Sequence, residues 1–368
     1  MKIEKTPFYS WKTGELANGC KLCVKGAKLV LFVTGLCPRK CWYCPLADTK
    51  KNKDVVYANE WKISKDEDII KEAELCEAEG AGITGGDPFL VLDRTVKYIQ
   101  MLKQKFGKNF HIHLYAPTDL ITEESLKKLY DSGLDEIRLH PCITDKKDWN
   151  KIELVRKFGW DIGVEIPVIP NLEKETRELI DYFKDKIGFL NLNELEISDT
   201  NANQIVKLGF TPKDEFSYGV EGSEKLALKL LEKYSDMNIH YCTTTLKDKV
   251  QMANRIKKRA KNAANDFDKV DEEGMLTRGA LYLEELKPSF GYRKKLESAD
   301  RKLIIKKLKE AKKKLRFRLK LDEVKLRLIC SQGDAENHAD EIKKHGLIPA
   351  VVEEYPTWDA VELDVEFL

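Results

Sequence analysis

Residues 28–45 read KLVLFVTGLCPRKCWYCP. The first half, Lys28–Leu36, is a continuous apolar run of the kind that forms a strand buried on both faces. The second half places Cys37, Cys41 and Cys44 within eight residues, in a loop that Pro38 and Pro45 keep from becoming helical. A buried strand that delivers three thiols into a loop ties the fold to the chemistry. Three soft thiolate ligands suit an iron–sulfur cluster, zinc or copper(I). A structural zinc site normally takes four ligands, whereas three can hold three irons of a [4Fe–4S] cube and leave the fourth open.

Downstream, strand-like and helix-like runs alternate at about 30-residue spacing, the pattern of a parallel sheet with right-handed crossovers. The strands fall at Gly82–Thr84, Phe110–Tyr115, Glu136–His140, Gly163–Ile169 and Leu192–Ile197, with a short run at Asn238–Cys242. Between them the periodicity predicts helices at Ser64–Glu79, Arg94–Phe106, from Thr122, at Asp148–Lys157, Lys174–Lys184 and Ser223–Tyr234. Periodicity alone leaves an open doubly wound sheet and a partial barrel equally open.

Here the chain resembles the radical S-adenosylmethionine (SAM) superfamily. The carriers are Cys37-x3-Cys41-x2-Cys44 after the first strand, with Tyr43 before the third cysteine. Gly85-Gly86-Asp87-Pro88 ends the second strand and is similar to that family's GGEP motif, with Asp for Glu. Gly163–Pro170 (GVEIPVIP), which includes Glu165 and Val168, resembles the stretch that packs on the SAM adenine. The resemblance covers roughly residues 28–200. It is nearest to the group of pyruvate formate-lyase activating enzyme, a subset of whose archaeal-type members also carries an upstream Gly-Cys-x-x-Cys, as Gly19–Cys23 does.

The resemblance implies an α/β fold, a partial (β/α)6 barrel of parallel strands with its site at the strand C-termini. It implies a [4Fe–4S] cluster on Cys37, Cys41 and Cys44, and SAM held in part by Tyr43, Gly85, Gly86 and Asp87. The reaction implied is reductive cleavage of SAM to a 5′-deoxyadenosyl radical, which modifies a substrate: a protein residue, an RNA base or a small molecule. An electron donor such as ferredoxin or flavodoxin is implied as well. The alternative is a zinc-stabilised RNA-binding protein without catalysis; the GGDP turn argues against it, because a zinc knuckle has no use for one.

Other residues are weighed on type and place. Cys20 and Cys23 precede the first strand, Cys142 follows the fourth, and Cys242 ends the run after the sixth unit. Together they make a candidate second site for an iron–sulfur cluster or zinc. Cys76 and Cys330 read as core residues. His140 ends the fourth strand and is a candidate contact for SAM or substrate. Glu165 and Glu196 lie inside apolar strands, where a carboxylate needs a partner. Such a carboxylate is a candidate for the SAM ribose or the substrate, or else faces a lysine from a surrounding helix. Asn191, Asn193 and Asn201 are candidates for a polar substrate or for closing loops.

Composition sets the remaining bounds. The chain has 368 residues, 42% of them hydrophobic and 34% charged, the latter above the usual ~25%. No apolar run reaches membrane-spanning length, and MKIEKTPFYSWKTGE has no apolar signal core, so the expectation is cytoplasmic, with no membrane partner. The net charge of +2 averages three parts. Residues 1–245 carry −3, residues 246–330 carry +13, and residues 331–368 carry −8. These shifts suggest an N-terminal extension with the Cys-x-x-Cys (1–27), a barrel (28–245), a basic helical segment (246–320) and a small α+β domain (321–368). The basic segment is a candidate RNA contact.

Overall fold

In the computed structural model, which describes residues 1–368, the run at Lys28–Phe32 is the first of seven parallel strands. The chain forms two units, Met1–Asn254 and Arg255–Leu368. The first unit begins with β1 (Glu4–Lys5), β2 (Trp11–Thr13), α1 (Asn18–Val24) and β3 (Lys28–Phe32). A short hairpin, β4 (Tyr57–Ala58) and β5 (Trp61–Lys62), precedes α2 (Asp66–Leu75). The alternation follows: β6 (Gly80–Thr84), α3 (Leu92–Phe106), β7 (His111–Pro117), α4 (Glu123–Asp131), β8 (Glu136–His140) and α5 (Ile152–Val155). It continues through β9 (Asp161–Val168), α6 (Glu173–Phe183), β10 (Phe189–Glu194), α7 (Ala202–Lys207), α8 (Ser223–Lys233) and β11 (Ile239–Cys242).

The sheet order is β1-β2-β11-β10-β9-β8-β7-β6-β3-β4-β5. Strands β3 and β6 to β11 pair in parallel, and the flanking strands pair antiparallel. The two edges do not pair, so this is the open barrel that was expected, one parallel strand wider than six.

Strand alternation explains what the barrel holds. Side chains of successive strand residues point to opposite faces. Ile112 and Leu114 of β7, Ile137 and Leu139 of β8, Val164 and Ile166 of β9, and Leu190 and Leu192 of β10 are all buried in one apolar core with the helices. Each contributes about 1.5–3 kcal/mol of burial. The intervening residues, His113, Tyr115, Arg138, Glu165, Asn191 and His240, make the opposite face polar. That face is packed rather than wet, and its charges are paired. Arg138 is fully buried and donates to Glu136 at 2.5 Å and to Glu165 at 2.9 Å.

Two predicted helices differ from the periodicity and one start is met. The Ser64–Glu79 helix is shorter, Asp66–Leu75, because Asp68 accepts from the Lys65 N–H at the start and Glu77 adopts a positive φ of 48° at the end. Thr122 caps α4 as read, accepting from the Ser125 N–H. The Asp148–Lys157 stretch is one turn at Trp149–Lys151 followed by the four residues of α5.

The chain leaves β11 through α9 (Thr244–Leu246) and α10 (Ala253–Ala263). The second unit then has β12 (Lys269–Val270), β13 (Leu276–Tyr282), α11 (Tyr292–Ser298), α12 (Arg301–Lys312) and β14 (Lys320–Asp322). It ends with β15 (Arg327–Cys330), α13 (Gln332–Asn337), α14 (Ala339–Lys344), β16 (Ile348–Glu354) and β17 (Glu362–Phe367). Its sheet is antiparallel, ordered β14-β15-β13-β16-β17, with β12 beside β13. The central strand β13 therefore comes from the stretch read as basic and helical (246–320), not from residues 321–368. Gly279 in β13 is required by packing: a Cβ there would stand 2.6 Å from the Ser331 carbonyl and 2.7 Å from Cys330 Sγ. No helix is long and apolar enough to cross a membrane.

Candidate active site

The loop after β3 is held at its base by backbone. Gly35 donates to the Lys53 carbonyl at 2.8 Å, and Asn52 donates to the Gly35 carbonyl at 3.0 Å. A Cβ on Gly35 would stand 1.7 Å from the Lys50 carbonyl oxygen, so only glycine lets the loop close. Asp54 accepts from Thr34 Oγ at 3.0 Å and takes both Nη atoms of Arg94, at 2.5 and 2.9 Å. The Arg94 guanidinium holds the Asp54 carboxyl below its ordinary range.

The Gly85-Gly86-Asp87 turn lies against the first limb of this loop. Gly86 donates to the Thr34 carbonyl at 2.7 Å and Asp87 to the Leu36 carbonyl at 2.8 Å. A Cβ on Gly85 would stand 2.3 Å from the Thr34 oxygen, and one on Gly86 would stand 2.1 Å from the Leu36 oxygen. Gly85 also has a φ of +145°. Both glycines are thus required by backbone meeting backbone. Asp87 is fully buried; Oδ1 accepts from the Phe89 N–H at 2.9 Å and Oδ2 has no partner. Burial pushes its carboxyl up to about 6, and its charge reaches Cys37.

Cys37, Cys41 and Cys44 are half-buried free thiols in this one loop. Burial pushes Cys37 up to about 11 and also raises Cys41. Three residues that the sequence reading passed over hold the loop's far side. Arg39 donates to Asp119 Oδ2 at 2.5 Å, to Thr118 Oγ at 3.0 Å and to the His140 carbonyl at 2.6 Å. It thereby clamps the cysteine loop to the ends of β7 and β8. An arginine inside the motif was the available signal. On the other side Asn201 Nδ2 donates to the Tyr43 carbonyl at 3.1 Å, a loop-closing role.

Several predicted contacts are occupied within the protein. His140 Nδ1 donates to the Glu165 carbonyl at 2.8 Å, so Nε2 accepts the Tyr43 hydroxyl at 3.1 Å. Both ring nitrogens are engaged, and His140 supports Tyr43 rather than offering a donor to the cleft. Burial lowers its pKa, which keeps the ring neutral. The Glu165 carboxylate takes Arg138 at 2.9 Å, Asn191 at 2.8 Å and Asn193 at 2.9 Å. Val168 is fully buried in the core. Its neighbour Ile169, with Leu172, instead lines a cleft of about 300 Å³ beside Arg39, Cys41, Tyr43 and Cys142.

The four thiols read as a second site are divided. Cys142 lines this cleft, near enough to Cys41 and Tyr43 for its charge to raise both. Cys20, Cys23 and Cys242 lie in the barrel interior and feel one another's charge. Cys142 follows the C-terminal end of β8, whereas the Gly19 N–H beside Cys20 is bonded to Glu136 at that strand's start.

The profile of the Radical SAM superfamily matches residues 31–183, which span β3 to α6. A protein of Methanocaldococcus jannaschii, provisionally named glycyl-radical enzyme activating enzyme MJ0021, is 46% identical over 292 residues. That alignment covers 76% of this chain and 78% of the relative. The chain belongs to the radical SAM superfamily. As a radical SAM enzyme it works with a [4Fe–4S] cluster and SAM, and the reading of a zinc-stabilised protein without catalysis is set aside. Solved structures with some likeness include the radical SAM methyltransferase TsrM from Kitasatospora setae with tryptophan and a SAM analogue bound. It is 12% identical with a TM-score of 0.37; 68% of this chain and 55% of that one are covered, so this chain spans about half its length. Methylornithine synthase (PylB) is 14% identical with a TM-score of 0.39, covering 61% and 72%.

Proposed function

We propose that Cys37, Cys41 and Cys44 carry the [4Fe–4S] cluster of this radical SAM enzyme and that the Gly85-Gly86-Asp87 turn holds the SAM amino group. One observation carries this: the turn and the cysteine loop are joined by the Gly86–Thr34 and Asp87–Leu36 backbone bonds. The residues suit both groups. Three undisulfided thiols share one loop, and the partnerless Asp87 Oδ2 is a buried acceptor suited to an ammonium donor. The bound cluster supplies the electron that cleaves SAM to methionine and a 5′-deoxyadenosyl radical. The chain's own part is placement. Arg39 and Asn201 hold the loop, His140 orients Tyr43, and Ile169 and Leu172 give the cleft an apolar wall for the adenine. Cys142 is an open thiol in that cleft. Ferredoxin or flavodoxin supplies the electron.

The target is a glycyl residue of a partner protein, a reading supported by the name of the 46% identical relative. RNA is a second reading, favoured by α12. Lys302, Lys306, Lys309 and Lys313 recur at i, i+4, i+7 and i+11 opposite buried Ile304, Leu308 and Ala311. Such a stripe attracts a polyanion.

Anaerobic, cluster-loaded protein reduced with dithionite is expected to convert SAM to 5′-deoxyadenosine and methionine, and Cys41→Ala to abolish the conversion. Retained cleavage in that variant would overturn the ligand assignment. Adding protease-treated or nuclease-treated cell extract separates the targets. A glycyl radical signal lost with protease supports the first reading, and uncoupled SAM turnover restored only by RNA supports the second.

A further inference from the structure

We propose that Cys20, Cys23 and Cys242 form a second, thiolate-rich metal site inside the barrel, with His240 Nδ1 as its nitrogen donor. Its occupant is a soft metal: one zinc ion or a small iron–sulfur unit.

The placement begins at Gly19. A Cβ there would stand 2.4 Å from an Arg138 Nη, 2.5 Å from His113 Nδ1 and 2.9 Å from Glu136 Oε1. A side chain at Gly19 would have to displace these buried groups, so glycine lets α1 press its backbone onto the polar inner face of the sheet. That approach brings Cys20 Sγ within 3.3 Å of Asn191 Nδ2 and 3.4 Å of Arg138 Nη2. Cys23 follows one helical turn later, on the same face of α1. Asn191 pairs in register with His240, and Asn193 with Cys242, so His240 and Cys242 share the inner face of β11 beside Cys20.

Cys20 is held by Asn191 and Arg138, while His240 and Cys242 each keep donor capacity to spare. His240 is 3% exposed; its Nε2 meets Ser10 Oγ at 3.1 Å, while Nδ1 is buried with no partner. Buried polar atoms are normally satisfied, so an unpartnered imidazole nitrogen on the strand face it shares with Cys242 points to a ligand. Cys242 has one long contact, 3.9 Å from Gln251 Nε2. The surrounding carboxylates are spent on fixed cations: Glu136 and Glu165 on Arg138, and Glu196 on Lys247. Added thiolate charge thus needs a cation of its own.

No three of the donor atoms lie within 4.8 Å of one another. Sulfurs around one zinc stand about 3.8 Å apart. Zinc therefore requires a change of side-chain rotamer, which moves a cysteine Sγ by about 3 Å; an iron–sulfur unit spans a wider gap. The two occupants share the ligand chemistry and differ in what is measured.

The test uses the full chain with Cys37, Cys41 and Cys44 all changed to Ala, so that it is independent of the active-site cluster. The anaerobic protein is offered zinc in one arm and ferrous iron with sulfide in the other. The expected result is about one zinc, or two to four irons, per chain. Adding Cys20→Ser with Cys23→Ser is expected to lower that content at least tenfold. Cobalt(II) titration gives a second readout: a sulfur-to-cobalt charge-transfer band that weakens stepwise with Cys23→Ser and Cys242→Ser. Far-UV circular dichroism confirms that each variant is folded. No metal above a tenth of an equivalent in folded triple-alanine protein overturns the proposal. So does metal that survives loss of Cys20, Cys23 and Cys242, or a Cys20–Cys23 disulfide formed in place of metal binding.

Discussion

The Tyr43 hydroxyl lies 3.1 Å from His140 Nε2, joining the cysteine loop to the end of β8. The bond is directional because His140 Nδ1 is already committed to the Glu165 carbonyl. Tyr43→Phe removes the donor and leaves a buried acceptor unpaired. A hydrogen bond of this kind contributes about 0.5–1.5 kcal/mol, or roughly 3- to 10-fold in rate if it acts only on positioning. The variant is expected to keep its iron and to make 5′-deoxyadenosine that much more slowly. Iron analysis beside product quantification checks both halves.

Gly86→Ala is expected to be far more damaging than its size suggests. The added methyl would stand 2.1 Å from the Leu36 carbonyl oxygen, and backbone on both sides has nowhere to go. The turn must leave the loop, carrying Asp87 with it. A misplacement of about 1 Å near a reacting centre costs on the order of 100-fold in rate. SAM affinity by equilibrium dialysis should fall together with cleavage, whereas cluster iron should remain.

Much of this was legible in the chain. Lys28–Phe32, the following strands and the Cys37/Cys41/Cys44 loop announce themselves because buried parallel strands need apolar runs and thiols are rare. The inner face was legible in Ile137-Arg138-Leu139, but β10 runs from Phe189 to Glu194, three residues earlier than the run read from Leu192, so Asn191 fell outside that run and Glu196 lies past the strand's end. What the chain could not reveal was who pairs with whom. Glu165 read as a carboxylate in need of a partner, but nothing in its own strand told that Arg138, Asn191 and Asn193 would converge on it from other segments. The flanking strands β1, β2, β4 and β5 are two or three residues long, too short for any period. Strand β13 lay hidden because the lysines of its neighbouring helices dominate the local charge.

Asp87 predicts an unusual pH dependence. Burial raises its folded-state pKa to about 6, above the ordinary 3.8. Above pH 6 the folded chain holds a carboxylate that is better solvated unfolded, a cost of roughly 3 kcal/mol. As pH falls from 6 toward 4, the folded state takes up a proton that the unfolded state does not, and the cost disappears. In SAM-free protein, Asp87→Asn should therefore raise stability at pH 7.5 and lose that advantage near pH 4. Urea unfolding at the two pH values measures it. An advantage that does not change with pH would show that the carboxyl is solvated.

The second unit offers a contrast between buried and exposed ion pairs. Arg327 is fully buried and donates to both oxygens of Glu354, at 2.6 and 2.8 Å, to Asp322 at 2.9 Å and to the Tyr282 hydroxyl at 2.9 Å. Glu354→Gln removes a charge and leaves the guanidinium in place. Breaking a buried pair from one side costs about 3–5 kcal/mol when the remaining charge loses its partner away from water; Asp322 still faces Arg327, so the loss is expected near the lower end. Lys307→Gln breaks the exposed pair to Glu285, which is worth at most about 1 kcal/mol. Urea midpoints should separate the two variants accordingly. The gap should persist at 1 M salt, because salt screens the exposed pair and barely reaches the buried one. A Glu354→Gln midpoint that moves no further than that of Lys307→Gln would mean that water reaches Arg327 and takes over the lost partner's role.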